Sequence, residues 1–234
     1  MSDGFLTMAI GLFGKYPLRR DFVVVNLPRQ ILNPLELWFQ SAIAASQQAL
    51  GRSWRDYYLI HPIWNFRIGR GIAGTDCIGA FAPSVDEVGR YFPLAVLALA
   101  EPGRYFSPLP TGEWTAFLAT VHERLLSALD DERSPDPPGL IEGLVEPAGA
   151  ALSFDSTQAI KGGYRWQADD GDAQMPEHLT AMEAMEASAD RSHWWTEGGR
   201  YVKRQLLSVR GMPDPYLFAD MIADRGRPDL PHSP

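Results

Sequence analysis

Two carboxylates in this chain stand among guanidiniums and aromatic rings, and acid–base chemistry would start there if it starts anywhere. Asp21 lies in Phe13-Gly14-Lys15-Tyr16-Pro17-Leu18-Arg19-Arg20-Asp21-Phe22, and Asp86 in Pro83-Ser84-Val85-Asp86-Glu87-Val88-Gly89-Arg90-Tyr91-Phe92-Pro93-Leu94. An Asp serves as general acid or base where its surroundings tune its pKa to the task. Arg19, Arg20 and Arg90 are instead suited to pair with these carboxylates, because Arg offers a rigid, bidentate fork of donors. Ion pairing is the stronger reading of both segments. Neither holds a recognisable catalytic unit, and the excess of aromatic residues points to turns that pack against something.

Other chemistries find less support. Gly69-Arg70-Gly71-Ile72-Ala73-Gly74 matches the dinucleotide fingerprint G-x-G-x-x-G letter for letter. That fingerprint works because its third glycine opens a helix whose N-terminus meets the pyrophosphate. Here an apolar, strand-like run follows, so the segment is expected to connect two strands and to bind no nucleotide. Gly11-Leu12-Phe13-Gly14-Lys15 has two intervening residues where a P-loop needs four, and Tyr16 stands where Ser or Thr would hold Mg²⁺. Lys15 is therefore expected to be solvated or ion-paired. The five histidines, His61, His122, His178, His193 and His232, show no metal-ligand spacing with one another or with Cys77. His122 is expected on a helix surface, His61 in the turn before Pro62, and Cys77 as a small buried hydrophobe. No G-x-S-x-G elbow is present. No metal or cofactor is expected.

These residues need positioning elements, and the apolar pattern supplies them. Met8–Phe13 reads as a first strand. Asn33 reads as an N-cap with Pro34 at the first helical position, and Leu35, Trp38, Phe39, Ala42, Ile43, Ser46, Ala49 and Leu50 recur at helical spacing until Gly51. A short helix is expected over Trp54–Leu59, and strands over Pro62–Ile68, Cys77–Ala82 and Leu94–Ala100, the last buried on both faces. Glu113–Leu129 carries Trp114, Phe117, Leu118, Val121, Leu125, Ala128 and Leu129 on one face, the clearest helix of the chain. Asp130–Gly139 reads as a surface loop or a boundary within one domain spanning residues 1–234. Weak strands are expected over Ala151–Phe154 and Tyr164–Gln167, an acidic loop over Ala168–Asp172, and a Met-rich helix near Pro176–Ala187. A strand over Gln205–Val209 precedes a helix that Asp214 would cap and Pro215 would start. In Ser192-His193-Trp194-Trp195, read as strand, the two indoles point to opposite faces, so one can enter the core and the other face solvent or a neighbouring element. Strands at both ends with helices between predict an α/β fold, a layered α-β-α sandwich around a mixed, largely antiparallel sheet.

Composition narrows the function classes. The chain has 234 residues, 45% of them hydrophobic, one cysteine and a net charge of −8, so it builds its core without disulfides. No run approaches the roughly 20 apolar residues of a membrane helix, and Asp3 replaces the basic start of a signal peptide; a cytoplasmic protein is expected. Residues 1–70 carry eight Lys/Arg against four Asp/Glu, while residues 71–234 carry thirteen against twenty-five. A pI near 5.1 disfavours nucleic acid as a partner, whereas the basic N-terminal third can meet a protein partner electrostatically.

The same segments carry a family likeness. Phe13-Gly14-Lys15-Tyr16-Pro17 with Arg19, Asp21 and Phe22 resembles the opening motif of the TagF/ImpM family, accessory proteins of bacterial type VI secretion. Pro83-Ser84-Val85-Asp86 with Gly89-Arg90-Tyr91-Phe92-Pro93-Leu94 resembles its second motif. Ser192 with Trp194-Trp195-Thr196, and Gly211 with Pro213-Asp214, resemble its C-terminal signatures. Arg20 and His193 depart from the pattern, which has glycine and an apolar residue there. The resemblance implies a cytoplasmic α/β sandwich that represses secretion after translation, acting with the system's forkhead-associated scaffold protein. The phosphatase domain fused to some members is not expected in this chain.

Three readings follow. The leading one is a non-enzymatic regulator that binds a partner through Lys15, Arg19, Arg20, Asp21, Ser84, Asp86, Arg90, Tyr91, Trp194 and Trp195. The second is an enzyme with a carboxylate site near Asp21 and Asp86, which would lie in a concave pocket with groups of perturbed pKa. The third is a sensor with a small ligand between the two turns. The two turns are expected to lie close together, with their opposite charges facing.

Overall fold

Runs in which every residue is apolar make stable strands only where both faces of the sheet are covered, and the fold is organised around that demand. The computed structural model describes residues 10–17, 19–101, 105–106, 112–130, 135–145, 147, 157–160, 163–166, 183–184 and 186–224. In chain order its elements are β1 (Ile10–Lys15), β2 (Phe22–Val25), α1 (Arg29–Leu50), α2 (Trp54–Ile60), β3 (Trp64–Ile68), α3 (Arg70–Ala73), β4 (Cys77–Ala82) and β5 (Leu94–Leu99). There follow α4 (Gly112–Leu129), α5 (Pro137–Ile141), β6 (Thr157–Ile160), β7 (Gly163–Trp166), β8 (Arg191–Thr196), β9 (Gln205–Arg210) and α6 (Phe218–Ile222).

Seven strands form one sheet in the order β2-β1-β5-β4-β3-β8-β9, and β6 pairs with β7 in a separate hairpin. Every ladder of the large sheet is antiparallel, so the expected mixed sheet is corrected to an antiparallel one. β3, β4 and β5 bury every residue. One face of the sheet packs Phe13, Phe66, Phe81, Leu97 and Trp194 against α1, α2 and α6; the other packs Leu12, Ile78, Ala80 and Val96 against α4 and α5. The α-β-α layering is thus as the sequence implied. Full burial of each large apolar side chain contributes about 1.5–3 kcal/mol, which makes the two cores the main source of stability.

Most element bounds follow the apolar pattern, and the exceptions have local causes. α1 begins at Arg29, not at Asn33, because Pro28 occupies the N-cap and its carbonyl accepts from the amides of Ile31 and Leu32. Pro34 consequently lies inside the helix, where it forgoes one main-chain bond; burial of Ile31, Leu35, Trp38 and Phe39 outweighs that loss. Residues 137–141, expected as loop, form α5: Asp136 caps it by accepting from the Gly139 amide, and Pro137, Leu140 and Ile141 are buried. The strand expected at 151–154 and the acidic loop at 168–172 lie outside the described residues, as does most of the Met-rich helix; residues 183–184 and 186–189 are helical. β7 falls within one residue of the expected strand, and Asp214 accepts from the Tyr216 amide where a cap was expected.

Within the sheet, Arg67 is wholly buried, and each of its three guanidinium nitrogens donates a hydrogen bond. It donates to Asp76 Oδ2 at 2.9 Å, to the Ser188 carbonyl at 2.8 Å and to the Phe106 carbonyl at 3.3 Å. Asp76 also accepts from the amides of Arg70 and Phe106. Burial raises the Asp76 carboxyl, and Arg67 and these amides pull against it. The pair ties β3 and the start of β4 to the Phe106 main chain and to the Ser188 carbonyl before β8. Among the described residues no helix is long and apolar enough to cross a membrane.

Candidate functional site

The two turns meet where β1 ends and where β4 passes to β5. Gly14 explains how they come so close. Its φ is +130°, and a Cβ there would stand 2.0 Å from the Pro93 carbonyl oxygen, so only glycine lets the first strand approach the second turn. Ser84 then locks the crossing: its hydroxyl donates to the Lys15 carbonyl at 2.7 Å, while its own carbonyl accepts from the Phe92 amide and the Tyr58 hydroxyl. Below them Phe13, Phe22, Phe39 and Phe92 pack edge to face or tilted, with Phe22 and Phe92 centroids 5.0 Å apart.

Asp86 is the hub. One carboxylate oxygen accepts from the amides of Val88 (3.1 Å) and Arg90 (2.8 Å); the other meets Lys15 Nζ at 2.9 Å and Arg90 Nε at 2.7 Å. The carboxylate is out of contact with water. Burial alone would raise it, but the Lys15 ammonium, the Arg90 amide and the Arg90 guanidinium hold it well below the ordinary carboxylate range. Arg90 also donates to the Arg20 carbonyl, the Glu87 amide donates to the Arg19 carbonyl, and Lys15 reaches the Arg20 carbonyl at 3.3 Å. One buried anion therefore gathers the second turn onto the backbone of the first.

Above this hub lies an exposed rim. Arg19, Arg20, Asp21, Glu87, Val88 and Arg90 are all exposed. Arg20 meets Glu87 at 3.5 Å with both side chains in solvent, a pair worth about 0–1 kcal/mol. The expected closeness of the two turns and the pairings Arg90–Asp86 and Arg20–Glu87 are present. Arg19 and Asp21 make no ion pair among the described residues. Lys15 is ion-paired, as expected, and mostly buried. Tyr91 is half-buried, edge-on to Trp54 and Tyr58, with the Arg55 guanidinium over its face. Ser84 and Asp86 are buried, so they hold the rim from beneath.

Trp194 and Trp195 do not join this surface. They lie on β8, separated from β1 by β5, β4 and β3. Trp194 is fully buried and lies 4.5 Å from Trp38, centroid to centroid; its indole donates to Ser192 Oγ. Trp195 faces the opposite core and is half-buried. Adjacent indoles on opposite faces follow from strand alternation, but neither is an exposed anchor beside the turns.

Away from the turns, His61 and Cys77 are buried and His122 is half-buried. Gly69–Gly74 does connect β3 to β4; one helical turn, α3, lies inside it, and Gly74 ends that turn in the left-handed region rather than opening a helix. Burial, with the neighbouring Asp76 carboxylate adding to it, pushes the Cys77 thiol up to about 12. His122 is corrected from surface to half-buried: it faces the sheet and donates through Nε2 to Asn65 Oδ1 at 2.6 Å. His61 is corrected from turn residue to core residue, enclosed by Tyr58, Phe81 and Phe218. Its Nδ1 donates to the Pro62 carbonyl and its Nε2 has no partner; burial lowers it to about 4. The adjacent prolyl bond hid this, because X-Pro reads as an exposed turn. No group of His, Cys, Asp or Glu that could hold a metal ion occurs among the described residues.

Both turns fall within residues 11–138, which match the model of the TagF N-terminal domain, described as type VI secretion system-associated. The chain belongs to the TagF N-terminal domain family. Its fold is also that of PA0076 from Pseudomonas aeruginosa PAO1, a crystal structure with 29% sequence identity and a TM-score of 0.74. The match covers 96% of this chain and 100% of that one. No curated protein matches the chain. The family match thus spans both motif turns and the Asp86 hub, and ends before β8.

Proposed function

We propose that this TagF-family protein is a cytoplasmic, non-enzymatic accessory of type VI secretion that restrains the system by binding its forkhead-associated scaffold protein. The single observation that carries the reading is the convergence of the two family motifs on one buried carboxylate, Asp86, beneath an exposed rim of Arg19, Arg20 and Arg90. A catalytic acid or base needs a free lone pair or proton in reach of substrate. All the acceptor capacity of Asp86 faces donors of this chain, which favours a framework role over the enzyme reading. Exposed guanidiniums add little to folding, but one desolvated against a partner carboxylate costs about 2 kcal/mol or more when truncated.

The structure refines which side chains to test. Arg90 is tied to Asp86, so its removal disturbs the turn itself. Arg19 and Arg20 hold no buried group and can be changed without touching the hub. Arg19→Ala combined with Arg20→Ala is expected to weaken binding of the purified scaffold protein by about 30-fold or more, the equivalent of 2 kcal/mol. Loss of the protein in cells is expected to raise secretion. Unaltered secretion on deletion would overturn the regulatory reading.

A further inference from the structure

The sheet has a second distinctive edge, at the end farthest from the motif turns. β9 pairs with β8 on one side, and among the described residues no strand lies on its other side. The direction of its main-chain groups follows from the register. Arg191 opposes Arg210, and the Gly211 amide donates to the Asp190 carbonyl at 2.7 Å. Hydrogen-bonded pairs alternate along an antiparallel ladder, so Ser192/Val209, Trp194/Leu207 and Thr196/Gln205 are the bonded pairs. Leu206, Ser208 and Arg210 therefore turn their N–H and C=O groups to the open edge.

Natural edges are blunted by proline, bulges or a central charge. This one has none of them between Leu206 and Val209, and the Leu206 side chain is 65% exposed. A charge pattern coincides with the edge. Residues 191–210 carry five cations, Arg191, Arg200, Lys203, Arg204 and Arg210, against one carboxylate, Glu197, in a chain of net charge −8. All five cations are exposed. Arg204 and Arg210 bracket the strand, and their ion pairs with Glu197 (3.1 Å) and Asp190 (3.7 Å) are solvent-exposed. Such pairs contribute about 0–1 kcal/mol and exchange readily for a better-placed carboxylate.

We infer that the β9 edge is a second docking site, which takes an extended acidic segment of another protein as an added strand. Main-chain bonds to Leu206, Ser208 and Arg210 hold the segment, as in other strand additions. Carboxylates about six residues apart, roughly 20 Å along a strand, meet Arg204 and Arg210. A second copy of this chain is a poorer occupant, because it would bring two basic hairpins face to face. Nucleic acid would satisfy the cations but leave the main-chain donors and acceptors unused. The site is independent of the motif turns and lies outside the matched family domain.

The test uses the full chain, labelled with ¹⁵N, and two capped heptapeptides: Glu-Val-Thr-Val-Thr-Val-Glu, and the same peptide with Lys at both ends. The acidic peptide is expected to bind saturably at millimolar concentration or below and to slow exchange of the Leu206, Ser208 and Arg210 amides at least 10-fold, leaving Phe22 and Val24 unchanged. Arg204→Glu with Arg210→Glu is expected to abolish this and to favour the Lys peptide. Ser208→Pro removes one edge donor without touching the β8 ladder and is expected to weaken the acidic peptide at least 10-fold. If that variant fails to fold, the double charge reversal decides alone. The inference is overturned by absence of saturable binding, by equal binding of the two peptides, or by protection elsewhere in the sheet. A β9-mediated dimer in light scattering without peptide, or tighter binding of a single-stranded oligonucleotide at the same amides, also overturns it.

Discussion

Asp86→Ala removes the one anion that holds the two motif turns together. The substitution leaves the amides of Val88 and Arg90 without their acceptor and strands the Lys15 ammonium, whose side chain is only 12% exposed. Removing one member of a buried ion pair costs about 3–5 kcal/mol. The Arg90 contribution deserves discounting because that side chain is 57% exposed, which places the expected loss near 3 kcal/mol. In a chain of this size each kcal/mol moves Tm by about 2–4 °C, so Tm is expected to fall by about 6–12 °C. The loss has a characteristic pH dependence. The folded carboxyl lies below its unfolded value, so its stabilisation is present above about pH 4 and fades as the pH falls further. The gap between wild type and variant in urea unfolding is therefore expected to be constant from pH 8 to about 5 and to narrow in stronger acid. Asp86→Ala with Tm within about 1 °C of wild type would refute the hub, as would a gap that widens in acid.

His61, buried and neutral, is expected to make the fold acid-sensitive. Its folded value near 4 lies below the unfolded 6.5, so the unfolded chain takes up the proton first; about 3 kcal/mol is lost as the pH falls from about 6.5 to 4. His61→Phe should flatten urea stability across that window. Gly14→Ala should cost several kcal/mol or prevent folding, since its Cβ would strike the Pro93 carbonyl. Gly89→Ala, also at positive φ but in open space, should cost only about 1–2 kcal/mol; thermal melts of the two separate crowding from backbone strain. Asp76→Ala should cost about 3–5 kcal/mol by stranding Arg67, whereas Arg67→Met with Asp76→Leu should recover much of it, measured by denaturant unfolding.

What was legible in the sequence was whatever burial writes into residue type. The wholly buried β4 and β5 stand out as uninterrupted apolar runs, and α4 as a stripe, so their bounds read almost to the residue. Polar residues that act from inside were not legible. Arg67 looks like any strand arginine until Asp76, Phe106 and Ser188 close around it, and those partners are 9, 39 and 121 residues away. Asp86 was visible as a charge among charges, but not as an anion with four donors. Trp194 and Trp195 were correctly placed on opposite faces, yet strand order, which sets three strands between them and β1, depends on long-range pairing that local pattern does not encode. The start of α1 was missed because two prolines, Pro28 and Pro34, both suit a helix beginning, and tertiary burial of Ile31 decided between them.

The central claim is that the rim above Asp86 recognises the forkhead-associated scaffold of the secretion system. Titration calorimetry of the purified scaffold protein into wild type and into Arg19→Ala/Arg20→Ala, with Tm of both recorded, tests it most directly. The account predicts saturable binding to wild type, weakening of about 30-fold or more in the variant, and Tm values within about 2 °C. Undiminished binding by the folded variant, or no binding by wild type, would contradict it.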